Sequence, residues 1–173
     1  MEKIRLVKPR AEHQKEAEDF KEEFFAHGET VINGSALFDQ MDYEAWLAHV
    51  AQAIDHAPAD WVPATTLFAV REGDGRIVGV IDIRHHLKQP FLAQFGGHIG
   101  YAVRPSERKQ GYAAEMLRQA LDQARHIGLT KVMLGCFADN IASIKTIEEC
   151  GGQLTAIKPY NEGQLVHIYW ITL

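Results

Sequence analysis

The sequence predicts an α/β fold (α+β in some schemes), a mixed central sheet of about six to seven strands flanked by helices. Three observations lead there. Short apolar or alternating segments, each closed by a turn signal, are interleaved with runs of helical periodicity. At 46% apolar residues, the 173-residue chain has the composition and length of one globular domain, residues 1–173, able to bury a substantial core. Between Gly96 and Ala113 it reads GGHIGYAVRPSERKQGYA, an extended segment that passes through a polar loop into a helix start.

Taken in order, Ile4 to Val7 alternates apolar and polar residues as an opening strand and stops before Pro9. Residues 10 to 26 are rich in Glu, Lys and Ala, with Ala17, Phe20, Phe24 and Phe25 at helical spacing; Gly28 to Gly34 breaks that helix. Asp42 is placed to cap a second helix, YEAWLAHVAQAIDHA, closed by Pro58 and Pro63. Thr66–Arg71 and Arg76–Arg84 read as strands joined through Glu72-Gly73-Asp74-Gly75, a hairpin signal. Gly96–Val103 reads as the central strand, and AAEMLRQALDQARHIG, from Ala113, as a helix. Lys131–Phe137, Gly152–Lys158 and Val166–Leu173 supply the remaining strands. There is no internal repeat or low-complexity linker.

Composition narrows the function classes. No apolar run reaches the roughly 20 residues that cross a bilayer, and MEKIRLVKPRAEHQKEAE is too polar for a secretory signal, so the cytoplasm is expected. Two cysteines, Cys136 and Cys150, make no disulfide framework and no CxxC zinc spacing; both read as core residues. A net charge of −5 argues against a broad nucleic-acid surface.

The stretch around Gly111 carries the chemistry. The first N–H groups of a helix have no partner within it, and the helix dipole favours negative charge there. Gly111 lets the backbone approach an anion, and Arg108 and Lys109 add charge beside it. These are the means of holding a pyrophosphate. The chain contains no GxGxxG, which weakens a dinucleotide reading, and no GxxxxGK followed by Ser or Thr, which excludes the nucleoside-triphosphate loop.

Arg108-Lys109-Gln110-Gly111-Tyr112-Ala113, after a strand ending Tyr101-Ala102-Val103, resembles the acetyl-CoA motif Arg/Gln-x-x-Gly-x-Gly/Ala of the GCN5-related N-acetyltransferases (GNAT). Asp139-Asn140-Ile141-Ala142-Ser143, after the strand VMLGCF and before Gly151-Gly152, resembles the same family's Asn-bearing helix. The likeness is closest over about residues 76 to 158, and the chain resembles a bacterial branch of predicted acetyltransferases with a Gly-Gly after this last helix. It implies the GNAT fold with splayed central strands, acetyl-CoA as co-substrate and no metal. It also implies an amine acceptor attacking the thioester directly in a ternary complex. Tyr101, Ala102 and Val103 would pair with the pantetheine arm, residues 108 to 113 with the pyrophosphate, and Asn140 and Ser143 with the cofactor's arm.

The chain departs from that pattern twice. Where many members carry a Tyr, four residues before Gly151, it has Ile147, which cannot donate a proton. Gly96 and Gly97 stand where a carboxylate is common. Candidate bases are therefore His98, whose ordinary pKa of about 6.5 suits proton transfer near neutrality, and Asp82 on the preceding strand. Alternation along the strand places His98 on the face of Gly100 and Ala102, so a bulge among the glycines is needed to turn it. Tyr160 and Tyr169 are candidate acids, with core packing the alternative for Tyr169. Adjacent His85 and His86 point to opposite faces of a strand and do not suggest a metal.

The acceptor is a small-molecule amine or a peptide, with no nucleic acid or membrane partner; a homodimer stays open. Gly28–Asp42, Leu87–Gln94 and Asn161–Gly163 are expected to frame its cleft. A domain that binds acetyl-CoA as a sensor, or mediates protein contacts, without turnover is the alternative, favoured by the missing Tyr and carboxylate.

Overall fold

A computed structural model describes residues 1–173. Seven strands form two antiparallel sheets rather than one continuous sheet. The first is ordered β1 (Ile4–Val7), β2 (Ala64–Arg71), β3 (Ile77–Arg84), β4 (Ile99–Val103). The second is ordered β5 (Lys131–Phe137), β7 (Leu165–Thr172), β6 (Gln153–Pro159). The hairpin residues 72–75 join β2 to β3 as their turn chemistry requires, with Gly75 left-handed at φ 74°.

The helices lie where their apolar faces dictate. After a short 3-10 turn, α1 (Gln14–Ala26) buries Ala17, Phe20 and Phe24. Helix α2 (Tyr43–Ala53) starts at its Asp42 cap, whose carboxylate accepts from the Ala45 N–H at 2.9 Å. It ends at Ala53, four residues short of the sequence expectation, and buries Tyr43, Trp46 and Val50. These helices cover one face of the first sheet with Phe68, Val70 and Val80. Helix α3 (Tyr112–His126) and α4 (Ile141–Glu149) cover the other face. There Met116, Leu117, Ala120, Leu121 and Ile147 pack on Ile81, Ile83, Ile99, Leu134 and Tyr169. No helix is long and apolar enough to cross a membrane.

The central strand begins later than the sequence suggested. Leu92–Gly96 coils into a π-helical turn, Gly97 kinks at φ 67°, and β4 starts only at Ile99. The Gly-Gly pair makes this approach: a β-carbon on Gly97 would sit 2.3 Å from the Met133 carbonyl oxygen. Here the two sheets touch, through one bridge between Gly97 and Leu134. Beyond it β4 and β5 run apart.

Candidate active site

The divergence of β4 from β5 creates a cleft of about 310 Å³. Alternation of hydrogen bonds in an antiparallel ladder decides which groups of β4 face it. Arg104 N–H donates to Val78 O and Arg84 N–H to His98 O, so even-numbered residues between them pair with β3. Tyr101 and Val103 therefore turn their N–H and C=O groups to the open edge. Ala102 turns its backbone to β3, which corrects its assignment as a backbone partner of pantetheine.

The strand leads into the anion loop. Lys109 (φ 62°) and Gly111 (φ 88°) are both left-handed, which makes the backbone concave before α3. The N–H groups from Lys109 through Ala114 have no protein acceptor; the first helical bond is Glu115 N–H to Gly111 O. Six consecutive free donors at the positive end of a 15-residue helix make a concave cradle suited to an anion. Side chains around it divide the work. Lys109 is exposed and makes no ion pair within the chain. Tyr112 buries its ring beneath the loop, with its hydroxyl 3.4 Å from Arg71 Nη1, so only its backbone faces the cradle.

Arg108 is not placed as expected. Its Nη1 and Nη2 donate to the two Glu29 carboxylate oxygens at 2.7 and 2.9 Å, and its Nε to Val103 O at 3.1 Å. The guanidinium lies 5.5 Å from the Phe24 ring centroid. It braces the loop rather than pointing at a ligand. Other carboxylates brace it from below. Glu23 accepts from Arg104 Nε and from Ser106 N–H, and Glu107 accepts from Arg71 and Arg76.

On the opposite wall, Asn140 caps α4: its Oδ1 accepts from Ser143 N–H at 3.1 Å. The Ser143 hydroxyl lies 2.8 Å from the Tyr101 hydroxyl. Asn140, Ser143, Tyr101, Cys136 and Ile147 all line the cleft. Burial pushes the Tyr101 phenol up to about 12 and the Cys136 thiol to about 11, so both keep their protons at neutral pH. The Tyr101 hydroxyl was missed by sequence reasoning. Nothing in the chain signalled Ser143, 42 residues away, as its partner.

Neither candidate base faces this cleft. His98 stitches the sheets: its N–H donates to Met133 O at 2.7 Å and its Nδ1 accepts from Met133 N–H at 2.9 Å. Burial, helped by Arg84 and His86, pushes its pKa down to about 4. Asp82 is 3% exposed, accepts from the Thr66 hydroxyl at 3.0 Å and lies 3.2 Å from Arg84 Nε. Burial raises its pKa against the pull of Arg84. Asp82 instead aims Arg84, whose Nη1 donates to Gly96 O and Gly97 O at 3.1 and 3.3 Å.

The remaining expectations divide as follows. Asn33 and Gly34 from the first loop and Phe91 from the second border the cleft, as does Tyr160. Residues 161–163 do not: Glu162 and Gly163 line a neighbouring hollow with Asp139. Tyr169 is core, its hydroxyl donating to Glu148 at 3.2 Å. His85 bonds Thr65 and His86 bonds Lys88 N–H, so the two do not converge. No group of three or more His, Cys, Asp or Glu side chains is placed to hold a metal.

A free strand edge leads to a helix start with six unpartnered N–H groups, with a cleft behind it, an arrangement suited to an elongated anionic ligand. The model of the acetyltransferase (GNAT) family matches residues 13–152, and the chain belongs to that family. That family is one of acetyltransferases, which places the chain among the acyltransferases. No curated protein matches the sequence. Among solved structures it is similar to the microcin C7 self-immunity acetyltransferase MccE in complex with acetyl-CoA and AMP. That match has a TM-score of 0.70 and 17% identity, covering 98% of this chain and 92% of the other. RimL, a ribosomal-protein α-N-acetyltransferase in complex with coenzyme A, gives 0.70 and 17%, covering 98% and 94%. The GNAT domain of an S. lividans protein, PAT, gives 0.62 and 14%, covering 98% and 89%.

Proposed function

We propose that residues 1–173 act as one N-acetyltransferase domain, moving the acetyl group of acetyl-CoA to an amine by direct attack in a ternary complex. The observation that carries this is the alignment of two donor sets. The open-edge N–H groups of Tyr101 and Val103 lead directly to the free N–H run from Lys109 to Ala114. The pyrophosphate would lie on that run, the pantetheine would add to the edge of β4, and the thioester carbonyl would meet the Tyr101 N–H.

The chemistry then follows from the groups at hand. The amine, deprotonated, attacks the thioester carbon, and the negative charge that develops on oxygen is stabilised by the Tyr101 N–H. Collapse breaks the C–S bond and releases the thiolate. The phenol of Tyr101, protonated and paired with Ser143, would donate a hydrogen bond to that sulfur. The proton lost by nitrogen leaves through water, since no free carboxylate or imidazole lines the cleft. Holding both reactants side by side supplies much of the acceleration.

Incubating the protein with acetyl-CoA and a panel of amines, with free thiol assayed, tests the reading. Thiol release that depends on an amine supports it; acetyl-CoA binding with no turnover on any amine or peptide favours the sensor.

A further inference from the structure

We infer that the acceptor is a small α-amino acid with an apolar or aromatic side chain, its carboxylate held by Arg84 and its side chain by an aromatic wall. The inference rests on the acetyl-transfer reading above. Strand alternation gives the cleft two faces. Tyr101, Cys136 and Ile147 belong to the side of α3 and α4, where the cofactor's arm would run. Gly100, Gly34, Arg84, Phe95 and Tyr160 line the other side, left for the acceptor.

That second side has a definite chemistry. Phe91, Phe95, Tyr160 and Phe137 form a continuous row, with successive ring centroids 6.1, 5.2 and 5.5 Å apart. Arg84 is the only charged residue lining the cleft, and no Asp or Glu lines it. Lys158 Nζ lies 6.0 Å from the Phe95 ring centroid and donates to Gln94 O at 3.3 Å. A polyamine entering here would lose its hydration with no carboxylate to replace it. An anion with an apolar body meets partners for both its parts.

Geometry fixes where the anion sits relative to the amine. Arg84 Nε faces Asp82 in an ion pair at 3.2 Å without hydrogen-bonding it, and Nη1 donates to the Gly96 and Gly97 carbonyls. Nη2 has no hydrogen-bond partner and lies 3.1 Å from where a β-carbon of Gly100 would be. Gly100 immediately precedes Tyr101, whose N–H is assigned to the thioester carbonyl, and one residue advances a strand by about 3.3 Å. A carboxylate on Nη2 therefore brings an amine on the adjacent carbon beside that carbonyl. The absence of side chains at Gly34 and Gly100 lets the first loop pack its backbone directly on β4 beside Arg84.

The test measures thiol release with L-phenylalanine, L-phenylalaninamide, phenethylamine, spermidine and a peptide with a free N-terminal Phe. Acetyl-CoA binding is followed by calorimetry alongside. The expected kcat/KM for L-phenylalanine exceeds that of L-phenylalaninamide and of phenethylamine by about tenfold or more, the value of a charge-assisted hydrogen bond. Arg84→Lys should raise the KM for L-phenylalanine while acetyl-CoA affinity holds. Should that variant not fold, Phe91→Ala, at a site 43% exposed, should narrow the preference for L-phenylalanine over L-alanine. Equal or better turnover of spermidine or the peptide overturns the inference. So does turnover of other amines with none of L-phenylalanine. Acetyl-CoA binding with no turnover of any amine, or no acetyl-CoA binding at all, instead removes the underlying transfer reading.

Discussion

Arg108 and Glu29 form a two-pronged ion pair, 2.7 and 2.9 Å, between the phosphate loop and the start of the loop that borders the acceptor side. The motif arginine thus ties the two substrate-facing loops together. Both side chains are about one-third exposed, so the pair adds little to global stability, on the order of 0.5 kcal/mol. Glu29→Gln should melt near wild type yet raise the KM for acetyl-CoA several-fold, because the loop loses its brace. Steady-state kinetics with a melting curve checks this.

Glu23 anchors the same loop from α1. Burial alone would raise its pKa, but hydrogen bonds from Arg104 and Ser106 prevail and hold it at about 2, against an ordinary 4.5. A carboxylate depressed on folding contributes stability above its unfolded pKa and loses it as pH falls towards the folded one. Stability should therefore decline between about pH 4.5 and 2, and Glu23→Gln should flatten that decline while costing about 2 kcal/mol at neutral pH. Denaturant melts across this range measure both.

His98 shows the opposite titration with the same sign. Its imidazole is held down to about 4, so the unfolded chain takes up a proton that the folded chain refuses below pH 6.5. Stability drains away as pH falls from 6.5 to 4. His98→Ala leaves the Met133 N–H without its acceptor and should cost about 1–3 kcal/mol. The basic limb of kcat/KM should survive His98→Gln; its loss would return His98 to the role of base.

Tyr101→Phe keeps the backbone donor and deletes only the hydroxyl beside Ser143. Acetyl-CoA affinity should hold while kcat falls about 10²-fold, the lower range for a group assisting proton transfer. An unchanged kcat would remove the phenol from the chemistry.

Local signals in the sequence were realised locally. Asp42 caps its helix, residues 72–75 turn their hairpin, and Gly111 takes the left-handed angle that opens the phosphate cradle. The sheet division and the start of β4 were not legible. A Gly-Gly-His segment carries no periodicity, and its π-helical turn is set by packing on Met133 and Arg84. Partners distant in sequence were equally hidden. Arg108 meets Glu29 across 79 residues, Tyr101 meets Ser143 across 42 and His98 meets Met133 across 35. Charge and residue type announced that these groups matter, but only the tertiary fold decides which of them face the cleft.

The central claim is that the cofactor's pyrophosphate rests on the N–H run at the start of α3, and Gly111 is its most direct probe. A β-carbon there would meet only the Met1 sulfur, at 3.5 Å, so the burden of a side chain falls on the left-handed backbone and on the space above the cradle. Calorimetric titration of acetyl-CoA into wild type and folded Gly111→Val is the decisive measurement. The account predicts affinity lower by about tenfold or more in the variant, the loss of one or two charge-assisted bonds; an affinity equal to wild type would contradict it.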